Sequence, residues 1–161
     1  MPISLNKLKS NTDSGRKSRS SNVKFKHLTT LANKDKYYLR KYVYQTWTES
    51  NSKYKTTIYP QNPILYDLEN GNAKSLVSCS CPDFLYRLEY VLAKSGNSEI
   101  KYSNGEPAVI TNPTNKKYMC KHLIAILPDV LNKNKKLVDY IEKDKQLLTM
   151  PYDKFKYIKD N

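Results

Sequence analysis

Four glycines and three cysteines among 161 residues leave several familiar chemistries without their parts. No glycine-rich loop is available to cradle a phosphate, and neither a nucleophile-elbow nor a paired-acid pattern occurs. Three cysteines cannot all pair as disulfides, so a disulfide framework would leave one over. The longest apolar run, Leu123 to Leu127, is far too short to span a bilayer, and Met1 to Lys7 never enters a leader-like apolar stretch. Phe and Trp are nearly missing, at 3 and 1 against 14 Tyr, so a core must draw on tyrosine, whose ring can be buried while its hydroxyl stays wet. Acidic residues are short too, 15 against 28 Lys and Arg. The formal charge of +13 favours a polyanionic partner, nucleic acid first, against the plainer reading of a solubilising lysine surface. Base-reading interfaces lean on arginine and lysine dominates here, so the charge supports phosphate contact rather than sequence reading.

What the chain does have is a concentrated set of soft ligands. Cys79-Ser80-Cys81 and Cys120-Lys121-His122 hold all three cysteines and one of the two histidines, with 38 residues between the pairs. Thiolate and imidazole are the donors of structural zinc, and Cys3His is a usual closed set of four. Unrelated free thiols or a redox Cys-x-Cys pair are the alternatives. Flanking elements suit a metal knuckle. A short strand over 73–78 would run into the first pair, and Pro82-Asp83 would open a helix carrying Phe84, Leu85, Leu88, Val91 and Leu92, with Gly96 just past its end. The second pair would stand at the start of another helix, over Leu123 to Leu127. Lys116, Lys117 and Lys121 would offset the formal −1 that three thiolates leave on Zn2+. Asp83 could pair with Arg87 one turn on, or accept a hydrogen bond from His122 as the carboxylate behind a zinc histidine. His27 has no second ligand near it in sequence and reads as a surface or packing residue.

At these residues the chain resembles the SWIM-type zinc finger, whose signature is Cys-x-Cys, a spacer, then Cys-x-His. Cys79, Cys81, Cys120 and His122 match the four ligands one by one, and the resemblance implies one structural zinc in a ββα module that binds DNA or proteins. The spacer is longer than in most members. Cys79 to Arg87, Asn112-Pro113 and Cys120 to Leu123 are similar to a long-spacer version in small proteins of tailed bacteriophages. The resemblance covers about residues 74–131.

Along the chain, residues 1–22 are rich in Ser, Asn, Lys and Arg with Asp13 the only acid, and they show no periodicity. They read as an extended or disordered basic arm, reaching to about residue 26, in which Arg16, Lys17 and Arg19 would contact a partner or nucleic acid. Alternation from Tyr38 to Trp47 predicts a strand, with Trp47 anchoring the sheet, and 53–59 predicts a second. A brief strand at 64–68 and a turn at Asn70-Gly71 follow. Residues 95–119 form an insertion that fits either a hairpin around Asn104-Gly105 or an extended loop, with Tyr102 and Ile110 as partner-contacting residues. Pro128 should kink or restart the helix after the knuckle, and Leu137 to Leu148 reads as an amphipathic helix.

The fold class expected is therefore α+β: a small antiparallel sheet and zinc knuckle packed with two to three helices. One domain spans 27–150, preceded by the arm and followed by a peripheral segment at 151–161. The function expected is a non-catalytic, zinc-stabilised structural or interaction protein. The resemblance points to a small phage virion component binding neighbouring subunits, in a virion or host cytoplasm and neither secreted nor membrane-spanning. A nucleic-acid-binding accessory factor, using Lys116, Lys117 and Lys121 on phosphates, is the alternative.

Overall fold

The computed structural model describes residues 3–32, 39–49, 52–61 and 74–143. Two short helices come first, α1 (Leu5–Asn11) and α2 (Ser14–Arg19), followed by a single 3₁₀ turn. Four strands then form an antiparallel meander in the order β1 (Lys24–Ala32), β2 (Arg40–Trp47), β3 (Lys53–Pro60) and β4 (Ser75–Cys79). A helix opening at Pro82 passes through a π-helical turn, Phe84–Leu88, into α3 (Glu89–Lys94). After a loop without strands comes the long helix α4 (Lys121–Lys143). The α+β class follows directly.

Strand register decides what faces the core. Tyr42 pairs with Ile58 and Ile58 with Val77, while Tyr44 pairs with Thr56 and Thr56 with Cys79. Residues in cross-strand register share a face, so these two rows lie on one side of the sheet, with Tyr42, Tyr44, Ile58 and Cys79 fully buried. Leu123, Ile126, Leu127 and Val130 of α4 recur at helical spacing and bury against the same cluster. The Tyr44 hydroxyl donates to Asp129 of α4, so the ring serves the core and its oxygen ties helix to sheet.

The N-terminal segment corrects the expected arm. Leu5 and Leu8 are both fully buried members of the core, neither extended nor detached. Ser4 caps α1 by accepting from the Lys7 N–H, and Asp13 caps α2 by accepting from the Arg16 N–H. Asn97 receives the Ile3 N–H at 2.9 Å and donates to the Ile3 carbonyl at 2.8 Å, fixing the chain before α1. Two apolar anchors three residues apart, with a cap at each helix start, suffice to dock a segment whose composition is otherwise that of a tail.

Other expectations shift by smaller amounts. The strand β1 is an additional edge strand, its side chains mostly exposed, so no alternation of apolar residues announced it. Trp47 is only half-buried at the end of β2, with the Lys53 ammonium 5.9 Å from its ring centre, and Tyr42, Tyr44 and Phe84 take the core instead. The helix α4 continues through Pro128, which is exposed and leaves the Ile124 carbonyl without its helical N–H partner. It absorbs the start of the second helix expected from Leu137. The 64–68 strand, the Asn70-Gly71 turn, the stretch 144–150 and the segment 151–161 lie outside the described residues.

Candidate metal centre

Each of the four ligands sits at the end of an element. Cys79 closes β4, held on the core side by the register just described, with its Sγ 3.3 Å from the Thr56 hydroxyl. Cys81 stands one residue before the helix that opens at Pro82 and accepts the Phe84 N–H at 3.4 Å. Proline has no N–H to satisfy at that first position, so the sulfur serves a free donor of the first turn. Cys120 immediately precedes α4 and His122 is its second residue, with the Ile124 N–H bonded to the Cys120 carbonyl as the first helical turn closes. Strand end, helix start and second helix start thus converge.

All three cysteines are buried and free, and His122 is 3% exposed. One Sγ from each cysteine and one His122 ring nitrogen lie within 4.8 Å of one another. Around a tetrahedral ion with metal–sulfur bonds of about 2.3 Å, sulfurs are about 3.8 Å apart, so the cluster has the right dimensions for a single ion. Both His122 ring nitrogens are buried with no hydrogen-bond partner, and the Tyr54 ring packs edge-on against the imidazole at 5.1 Å. An orphaned imidazole inside a ring of thiols is costly unless a cation takes its lone pair. Burial pushes the Cys79 and Cys120 thiols up, whereas hydrogen bonds from Cys120 and then Cys79 pull Cys81 far below the ordinary thiol value. Three buried thiols and an imidazole brought together in this way are a ready donor set for a metal ion.

Asp83 departs from the expected arrangement. Its carboxylate takes a fork from Arg16, at 2.7 Å from Nε and 2.6 Å from Nη2, and a third bond from Arg87 at 2.9 Å. The one-turn pair with Arg87 is present, but the bond from His122 is not, because Asp83 is turned toward α2. Arg16 also reaches Asp13 at 2.6 Å, and its hydrogen bond holds the Asp13 carboxyl below the usual carboxylate range. Arg16 is thereby committed inside the molecule, whereas Lys17 and Arg19 are exposed on α2. Lys116 is exposed and Lys117 and Lys121 are half-buried around the second ligand pair.

The insertion between the ligand pairs is a shaped loop rather than a hairpin. Glu89, fully buried, collects the N–H groups of Lys101, Tyr102 and Ser103 and the Ser103 hydroxyl on its carboxylate, at 2.8–3.2 Å. Asn112 donates to the Arg87 and Lys116 carbonyls and accepts the Lys116 N–H, each at 2.9 Å. Where α3 ends, Gly96 at φ 85° carries the backbone into a left-handed turn, with the Gly96 N–H bonded to Ala93 and the Asn97 N–H to Leu92. That turn delivers Asn97 to Ile3 and to the Ser75 carbonyl. Sequence reasoning singled out Gly96 but missed Glu89 and Asn97, whose partners lie in other segments. Tyr102 and Ile110, named as contact residues, are 40% and 89% exposed. Comparison with protein-family models, curated proteins and solved structures gave no match for the chain.

Proposed function

We propose that the chain is a zinc-stabilised structural or interaction module of SWIM type, with one ion held by Cys79, Cys81, Cys120 and His122. The convergence of three thiols and an imidazole within 4.8 Å carries this reading. Zinc suits the set best, because mixed thiolate and imidazole donors with no carboxylate select it over calcium, magnesium and manganese. Four protein ligands fill its tetrahedron, so the ion has no position for water and its work is to hold structure. It would close the 38-residue segment between the ligand pairs and tie the end of β4 to the start of α4. Around it, the chain's own residues shape a surface: Glu89 and Asn112 fix a loop on which Val109 and Ile110 are 71% and 89% exposed. That loop is the partner-binding face in this reading, and the resemblance of the knuckle to small phage proteins makes the partner a neighbouring subunit of a virion.

Elemental analysis of purified protein tests the first half: one zinc per chain supports it, and protein without zinc overturns it. Co-purification with assembled particles tests the second half.

A further inference from the structure

Beside the metal centre lies an open cleft of about 430 Å3, bordered by α2, the first turn after Pro82 and the start of α4. Four cations line it, Arg16, Arg19, Arg87 and Lys121, against the single carboxylate of Asp83. Asp83 is shared between Arg16 and Arg87, and Asp13 pairs with Arg16 as well, so those two arginines are balanced within the fold and the excess charge rests on Arg19 and Lys121. Neither Arg19 nor Lys121 makes an ion pair among the described residues. The four come from three parts of the chain, so their meeting is made by the fold and not by a local lysine run. Like charges brought together repel and weaken the compact state, an effect that a bound anion reverses. Even with a formal single negative charge on a zinc centre behind Cys81, the cleft stays positive.

Two features add to the charge. Lys121 and His122 form the first turn of a 23-residue helix, whose positive end faces the cleft. Arginine forks match phosphate oxygens in two-bond geometry, and while the Arg16 fork is taken up by Asp83, that of exposed Arg19 makes no ion pair among the described residues. We propose that this cleft binds a phosphodiester group of a nucleic-acid strand, with Arg19 and Lys121 as the contacts and the ion-paired Arg16, Asp83 and Arg87 as its fixed wall. A strand is favoured over a lone phosphate because the whole chain is basic, 28 Lys and Arg against 15 acids, and exposed Lys17 continues the charge along α2. The inference goes beyond the interaction-module reading and needs the fold but no protein partner.

The test uses full-length, metal-loaded protein with 20-nucleotide single-stranded and duplex DNA probes, followed by fluorescence anisotropy across a salt series. The expected result is measurable affinity for at least one probe that falls linearly on a log–log salt plot. The double variant Arg19→Gln, Lys121→Gln should bind at least tenfold more weakly and with a slope smaller by about 2. A control pair bordering a different cleft, Lys41→Gln with Lys101→Gln, should change affinity less than twofold. Metal content and melting temperature should match the parent in both variants. Failure of both probes to bind the parent overturns the proposal, including the case where inorganic phosphate alone raises the melting temperature. Loss of affinity that is equal in the two double variants overturns the assignment to the cleft.

Discussion

The backbone N–H of Met119, the residue before Cys120, donates to the Thr12 hydroxyl at 2.9 Å, joining residues 107 apart in sequence. Thr12 in turn donates to the Leu8 carbonyl, and the neighbouring Asn11 side chain reaches the Lys117 carbonyl. The segment entering the second ligand pair is therefore positioned by the chain's first two helices. With Arg16 gripping Asp83 on the other side, the N-terminal helices brace both halves of the knuckle.

That bracing predicts that residues 1–22 cannot be removed harmlessly. Leu8→Ala should destabilise the protein by about 2–5 kcal/mol, the range for emptying a fully buried leucine site. Deleting 1–22 should lower the melting temperature further and loosen metal retention against a chelator. An unchanged denaturation midpoint in Leu8→Ala would show the segment to be peripheral.

Metal removal makes a second prediction. A bare cluster would leave the His122 nitrogens buried without partners and three thiols crowded together. Structural zinc contributes about 10–16 kcal/mol of apparent binding energy in small zinc modules. Chelation or Cys81→Ser should therefore unfold the region around β4 and the start of α4, visible as lost near-ultraviolet dichroism of Tyr54, Tyr44 and Tyr118. Native dichroism retained after complete chelation would rule this coupling out.

The candidate ligand cluster was legible because cysteine and histidine are scarce here and their chemistry is specific, so Cys79, Cys81, Cys120 and His122 had few competing assignments. The strand β2 showed through its alternation, and Gly96 through its place after an apolar helical repeat. The N-terminal helices did not show, because Leu5 and Leu8 are too few to make a period and polar neighbours set the average. Ser4 and Asp13 were readable as caps, yet a cap signals a helix only when something buries its face. Edge strand β1 lacked alternation for the opposite reason, since little of it is buried. Spacing gave the Asp83–Arg87 pair, but not the second partner of Asp83, Arg16, which is 67 residues away.

Glu89 supports a third prediction. Its buried carboxylate accepts four donors from Lys101 to Ser103, and glutamine would turn an amide N–H toward backbone N–H groups. Glu89→Gln should cost about 1–3 kcal/mol, the range for a buried group left unsatisfied. It should also release the loop, so that limited proteolysis cuts between residues 99 and 110 at least several-fold faster. Zinc content should stay at the parent value, because no ligand contacts Glu89. Parent-like proteolysis would mean that Asn112 and its bonds hold the loop without help.

The final prediction separates the shape of the insertion from its surface. Val109 and Ile110 are among the most exposed apolar side chains described, and Tyr86, 64% exposed, stands beside them, its carbonyl receiving the Thr111 hydroxyl at 2.7 Å. Exposed apolar side chains on a loop held by internal hydrogen bonds contribute little to stability, since substitutions there commonly change it by less than about 0.5 kcal/mol. Ile110→Ser with Tyr102→Ala should therefore leave melting temperature, zinc content and DNA affinity unchanged while reducing incorporation into an assembly at least tenfold. Glu89→Gln should reduce incorporation as well, but together with faster proteolysis. If Ile110→Ser, Tyr102→Ala incorporates normally while Glu89→Gln does not, the loop acts by bracing its own domain and the contact face lies elsewhere. If neither variant affects incorporation, the insertion is no partner surface at all.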